Sequence, residues 1–325
     1  MSTEHLPKVF VARALLGDAL ARLEQVAEVS VWPEAQPPTP EEFLEFASRA
    51  DAILTMVSDR VDEAVLESCP SLRVIANLAV GFDNYDVPAL TRRRIPAGNT
   101  PDVITNSTAD MAFALLLASA RRVLEARQAV LAGKWTMWDP ALMLGLELGD
   151  ATLGIVGMGR IGQAVAKRAL AFSMRVIATS RTERPIEGVT YVDFETLLSE
   201  SDVISLHVAL SETTRHLIGT GELVAMKPSA ILINTARGAV VDQVALAAAL
   251  TNGTIAGAGL DVFESEPVGP DDPIVQAPNC IVTPHIGSAT LATRNAMGHR
   301  AADNIIAGLA GVRLPYCINP EVYDT

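Results

Sequence analysis

Cysteine is scarce: Cys69, Cys280 and Cys317 are the only three in 325 residues. An odd and widely spaced set matches neither a disulfide framework nor a paired zinc motif, so no metal site is expected and a reducing cytoplasm is the natural setting. Basic charge is also short. The chain carries 25 Lys and Arg against 38 Asp and Glu, a formal charge of -13. Such a surface repels phosphate backbones, and a nucleic-acid partner would require a local basic stripe. The only basic triple, Arg92 to Arg94, does not make one. Long apolar runs are missing too. The longest, Met111 to Ala120, is about half of the roughly 20 residues that a membrane span needs. The N-terminal stretch passes from Lys8 through a short apolar run to Arg13 and Asp18, without the uninterrupted core of a signal peptide. Internal repeats and low-complexity segments are absent. The expectation is a soluble protein with neither membrane nor nucleic acid as partner.

What the chain does have is apolar material, 49% of its residues, at about twice the usual domain length. Short β-branched runs alternate with helical patterns: Val9 to Val11, Leu15 to Leu23, Val29 to Val31, Glu41 to Ala50, Ala52 to Met56. This rhythm predicts parallel strands joined by crossover helices. Thr39 is placed to cap the helix that Pro40 opens. After a linker near Pro96 to Pro101, Asn106 to Arg122 reads as a long helix, apolar nearly all round in its middle. Leu142 to Asp150 reads as loop. The rhythm restarts at Thr152 to Val156, with further strands at Arg175 to Thr179, Val203 to Leu206, Ala230 to Asn234, Ile255 to Leu260 and Ile281 to Thr283. A last long helix spans Ala289 to Ala310. Two apolar helices flanking a central βα block suggest an α/β protein of two Rossmann-like doubly wound parallel-sheet domains, one inserted into the other. On this reading residues 1–100 and 288–325 form one discontinuous domain, and 101–287 the domain inserted into it.

The sharpest local signal is Gly157-Met158-Gly159-Arg160-Ile161-Gly162, which follows a strand and opens an amphipathic helix. Gly157 makes the tight turn, Gly159 admits a pyrophosphate to the backbone, and Gly162 lets helix and strand pack closely. The amides of Arg160 and Ile161 would point at the phosphates. An NAD-binding fold normally carries an acid at the tip of the second strand, about 20 residues on, to hold the ribose 2'-hydroxyl. Here that strand ends in Ser180-Arg181-Thr182, and the nearest acid is Glu183 beyond it. A guanidinium and two hydroxyls suit a 2'-phosphate. NADPH is the expected cofactor, with NADH possible.

Three later segments each end a strand on the side where a parallel sheet binds ligands: Asn234 to Gly238, Asp261 to Pro267, and Thr283 to Gly287. Arg237, Asp261 and His285 could therefore converge. Hydride transfer to a 2-oxo acid needs a cation for the carboxylate and a proton donor for the developing alkoxide. A carboxylate beside an imidazole favours its charged form.

The chain resembles the D-2-hydroxyacid dehydrogenases, and among them the glyoxylate/hydroxypyruvate reductases, over nearly its whole length. The motifs carrying the resemblance are Asn77 to Asn84, the glycine turn, Asn234 to Gly238, Gly259 to Phe263 with Glu266-Pro267, and Pro284 to Thr290. The resemblance implies that Arg237 binds and polarises the substrate, and that Glu266 and His285 form the acid-base pair. It also implies that the amides of Val80 and Gly81 hold the substrate carboxylate. Asp261 and the backbone of Thr235 would orient the nicotinamide amide, with Met158 and Gly287 also at the cofactor. Lys134 to Trp138 is similar to a segment that reaches a partner subunit's site in that group, which implies a homodimer and assigns that role to Trp138. Ala209 departs from the proline common in the family.

The implied reaction is reduction of a small 2-oxo acid, glyoxylate to glycolate or hydroxypyruvate to D-glycerate. A phosphoglycerate dehydrogenase is a rival enzyme reading, although the chain stops at Thr325 with no room for the regulatory domain that many of those carry. A nucleotide-sensing corepressor on the same fold is the rival from another class.

Overall fold

The computed structural model describes residues 6–324, and its elements divide into two units. One comprises the chain up to Ile104 together with Ala289 onward, the other Thr105–Ser288. Both are α/β, each built on a single all-parallel sheet.

In the first unit β1 (Lys8–Val11), β2 (Glu28–Val31), β3 (Ala52–Thr55), β4 (Val74–Asn77) and β5 (Ala97–Gly98) lie in the order β2-β1-β3-β4-β5. Parallel pairing demands a crossover after every strand. The helices Ala19–Glu24, Pro40–Ala47, Glu63–Ser68 and Val87–Arg92 supply four of these, and Leu291–Leu309 returns from the end of the chain to cover β3 and β4. The central strands β3 and β4 are buried at every residue, as a sheet covered on both faces requires. The helix opened by Pro40 starts as its sequence demands. The Thr39 side chain accepts from the Glu42 amide, and the Glu42 carboxylate accepts from the Thr39 amide. The first helix begins at Ala19 rather than Leu15, because Gly17 takes a left-handed φ of 73° that no helix continues through. The stretch Pro96 to Pro101 is not a bare linker: within it β5 pairs with β4.

In the second unit β6 (Thr152–Val156), β7 (Arg175–Thr179), β8 (Val189–Tyr191), β9 (Val203–Leu206), β10 (Ile231–Asn234), β11 (Gly257–Leu260) and β12 (Cys280–Val282) lie in the order β12-β11-β10-β9-β6-β7-β8. Strand order reverses between β6 and β9. That reversal opens a crevice at the carboxyl ends of the strands, the place where doubly wound sheets bind ligands. Two apolar layers, one on each face, hold the sheet. The long helix Thr105–Ala120 lies in the second layer with Leu115 and Leu116 buried, which is why its middle is apolar nearly all round. It stops at Ala120, and Arg122, at a left-handed φ of 52°, precedes a separate helix Val123–Leu131.

Candidate active site

The turn after β6 has the geometry its glycines require. Gly157 sits at φ 98°, and a β-carbon there would fall 2.7 Å from the His207 carbonyl oxygen. At Gly162 the same atom would fall 2.1 Å from the Gly157 carbonyl oxygen, so the helix Arg160–Ala171 can start only without a side chain at that point. Space beside Gly159 is open, with nothing within 4 Å of where its β-carbon would stand. The helical ladder begins with the Gln163 amide on the Gly159 carbonyl at 3.0 Å, which leaves the amides of Ile161 and Gly162 outside it. The Met158 side chain goes the other way, into the core, so only its backbone is available to a ligand. At the tip of β7, Ser180 is half-buried while Arg181 and Thr182 are exposed. Arg181 forms no hydrogen bond or ion pair among the described residues.

One further observation bears on a bound dinucleotide. The Thr235 hydroxyl, just beyond β10, is buried and has no hydrogen-bond partner among the described residues. A buried polar atom without a partner costs about 1–3 kcal/mol, and one at the carboxyl edge of the sheet fits a ligand group. Together with the open glycine cradle, it makes these residues suited to a nicotinamide dinucleotide.

The acid-base candidates lie on adjacent strand ends. Glu266 Oε2 is 2.7 Å from His285 Nδ1, and the Phe263 amide donates to Glu266 Oε1 at 2.9 Å. Each carboxylate oxygen thus has its own donor, and the group is fixed in orientation. Burial alone would raise the Glu266 carboxyl. The His285 hydrogen bond and charge, the Phe263 amide and the Arg237 charge outweigh that and hold it below the usual carboxylate range. His285 itself stands at a left-handed φ of 52°, uncommon for a residue with a side chain and concentrated in functional sites.

Arg237 follows β10 on a turn locked by Asn234, whose side chain donates to the Arg237 carbonyl at 2.9 Å and accepts from the Ala236 amide at 3.0 Å. Its charge is felt at Glu266. Sequence reasoning passed over both Asn234 and Gly238 as separate contributors, although their place on either side of the arginine was a visible signal.

Asp261 is buried, and its carboxylate is taken up by the loop carrying His285. It accepts from the Thr283 hydroxyl at 2.6 Å, the Ile286 amide at 2.8 Å and the Gly287 amide at 2.7 Å. The contacts among the described residues therefore make Asp261 the holder of the His285 loop. Gly287, expected at the cofactor, is buried and spends its amide on this carboxylate.

In the first unit, Val80 and Gly81 lie on the loop after β4, both half-buried. Trp138 lies in the second unit on a stretch with little cover: it is 78% exposed, with Met137 and Leu144 close behind.

A scan of family models matches residues 113–287 to the NAD binding domain of D-isomer specific 2-hydroxyacid dehydrogenases. The chain belongs to the D-isomer specific 2-hydroxyacid dehydrogenase family. It is similar to a glyoxylate reductase of Thermococcus litoralis, 49% identical over 97% of this chain and 98% of that one. A solved structure of this architecture, the TT0316 protein of Thermus thermophilus, superposes with a TM-score of 0.91 at 46% identity, covering 96% of this chain and 99% of its own. An NADPH-dependent glyoxylate/hydroxypyruvate reductase of Sinorhizobium meliloti, solved with NADP and malonate, superposes with a TM-score of 0.83 at 33% identity over 97% and 98% of the two chains. As a dehydrogenase of this family the protein takes a nicotinamide cofactor and a small 2-oxo or 2-hydroxy acid. Among the described residues no helix is long and apolar enough to cross a membrane.

Proposed function

We propose that this 2-hydroxyacid dehydrogenase reduces glyoxylate to glycolate and hydroxypyruvate to D-glycerate, preferring NADPH to NADH. The observation that carries the reading is the Glu266–His285 pair at 2.7 Å, with Arg237 on the neighbouring strand end near enough for its charge to act on Glu266. The similar proteins of Thermococcus litoralis and Sinorhizobium meliloti support the choice of substrate.

When bound, the nicotinamide supplies the hydride that reduces the carbonyl carbon. The chain's own residues do the rest. Arg237 pairs with the substrate carboxylate and polarises the carbonyl, while the amides of Val80 and Gly81 also bind the carboxylate. Because Nδ1 of His285 is engaged by Glu266, Nε2 is the nitrogen left to act. The imidazolium gives its Nε2 proton to the carbonyl oxygen as that oxygen gains charge, and the proton is recovered from solvent afterwards. Glu266 fixes the ring and faces the Nδ1 proton. Asp261 fixes the loop on which the ring stands.

The dinucleotide phosphates take the amides of Arg160 and Ile161, Gly159 letting them approach. Ser180, Arg181 and Thr182 bind the 2'-phosphate. Thr235 contributes its unpaired hydroxyl or its backbone to the nicotinamide end. The unit with β6 to β12 is on this reading the dinucleotide-binding domain, and the other the substrate-binding domain. The protein works as a cytoplasmic homodimer, in which Trp138 of one protomer enters its partner's substrate site. A contiguous exposed apolar stretch of that kind marks an interaction surface.

Steady-state turnover of glyoxylate and of hydroxypyruvate, each with NADPH and with NADH, tests the reading. Saturable oxidation of NADPH by both acids is the expected outcome. A protein that binds the dinucleotide and reduces neither acid would overturn it.

A further inference from the structure

Three consecutive carbonyls on the loop after β4 each accept a hydrogen bond. The Ala79 oxygen accepts from the Thr100 amide at 2.8 Å, the Val80 oxygen from the Asn99 side-chain amide at 2.8 Å, and the Gly81 oxygen from the Asn77 side-chain amide at 3.1 Å. Across a planar trans peptide the carbonyl of one residue and the N–H of the next point in opposite directions. Fixing those three carbonyls therefore fixes three amides facing the other way: Val80, Gly81 and Phe82. Among the described residues none of the three donates a hydrogen bond. This nest of unspent amides offers backbone donors to an anion.

We infer that Asn99 and Asn77 are positioning residues for the substrate carboxylate, aiming the Gly81 and Phe82 amides, and that Phe82 adds a third backbone donor to the pair already assigned. The inference rests on the carboxylate-binding reading of Val80 and Gly81 given above. The two asparagines are themselves held. Asn77 is fully buried and shares its side-chain amide with Asn84 Oδ1 at 2.8 Å. Asn84 in turn donates to the carbonyls of Met56 and Asp59, so the loops after β3 and β4 are tied together. Asn99 is braced through its backbone: its amide donates to the Tyr316 carbonyl at 3.1 Å, and its carbonyl accepts from Asn304 at 3.0 Å. Asn304 is fully buried on Leu291–Leu309 and accepts from the Tyr316 amide at 3.0 Å. The final helix thus holds the asparagine that aims the nest.

Asn99 is the residue to change, because it is only half-buried and its backbone contacts survive substitution. Asn99→Leu removes the donor at similar volume without adding a charge that would itself repel an anion, and Asn99→Ala guards against a steric artefact. KM for glyoxylate and the Kd of oxamate in the NADPH complex are expected to rise together, roughly 10- to 100-fold, as misaimed hydrogen bonds to a carboxylate would give. On the same account kcat stays within about threefold, the NADPH Kd is unchanged, and Asn99→Gln, which restores a donor, recovers part of the loss. An unchanged KM in both variants overturns the inference, as does a loss confined to kcat and melting temperature that Asn99→Gln leaves unrepaired. In either case wild-type turnover stands and only the positioning role falls. A wild-type protein that reduces neither acid and binds no oxamate overturns the functional reading and this inference with it.

Discussion

Gly238 and Phe263 touch through their backbones. A β-carbon on Gly238 would fall 1.8 Å from the Phe263 carbonyl carbon and 2.4 Å from the Glu264 nitrogen. The residue after Arg237 therefore abuts the segment that carries Glu266, and Phe263 is also the residue whose amide orients the Glu266 carboxylate. Arginine and glutamate are set against each other by a contact that only glycine permits. Gly238→Ala should push the two loops apart. We expect kcat to fall about 100-fold, the cost of misplacing reacting groups by about 1 Å, with the Kd for NADPH little changed. Stopped-flow turnover paired with cofactor titration checks this; unaltered kcat would mean that the loops accommodate the methyl group elsewhere.

His285→Ala should lose on the order of 10²- to 10⁴-fold in kcat, the usual worth of general acid catalysis. Glu266→Gln leaves one acceptor oxygen for two donors, the His285 ring and the Phe263 amide, so one of the two bonds that fix the pair is lost and kcat should fall with the NADPH Kd unchanged. An unaltered kcat beside an inactive His285→Ala would leave the histidine as acid and remove the orienting role of the glutamate.

The acid side has its own expectation. The Glu266 carboxyl lies below its usual range in the folded protein, so folding favours its ionised form. The sign follows from linkage: this contribution to stability is present above the unfolded carboxylate value near 4.5 and is lost as pH falls through the lowered folded value. The acid limb of activity should accordingly lie below the usual carboxylate range, and Glu266→Gln should flatten the stability profile there. Denaturant melts on either side of the usual carboxylate range measure it.

Arg181→Ala should weaken NADPH binding by about 1.5 to 3 kcal/mol while leaving NADH nearly unchanged, since only NADPH carries the charge that the guanidinium meets. Isothermal titration with both cofactors decides it. Equal losses for the two would remove the 2'-phosphate assignment.

Trp138→Ala should raise KM for the 2-oxo acid or alter the preference between glyoxylate and hydroxypyruvate, with cofactor affinity held. Sedimentation equilibrium should give a dimer for the wild type. A fully active monomer would leave the exposed tryptophan without its assigned role.

Where a residue type records a local demand, the sequence alone was enough. The turn at Gly157 to Gly162 was legible because a left-handed backbone and a helix crowded onto a strand each exclude a side chain, whatever surrounds them. The helix start at Thr39-Pro40 was legible because its donors and acceptors lie within four residues. The segments carrying the arginine, glutamate and histidine were legible as loops that follow strands within recognisable motifs. Tertiary structure decided what depended on distant partners. The two-residue strand Ala97–Gly98 has no periodicity to betray it and exists only by pairing with β4. Asp261, expected at the nicotinamide, also holds amides more than 20 residues away, a role that no spacing rule encodes. The nest after β4 is made of backbone amides, and what aims them are asparagines 4 and 19 residues from the carbonyls they hold. Backbone direction leaves no trace in residue identity, so only the folded chain could reveal it.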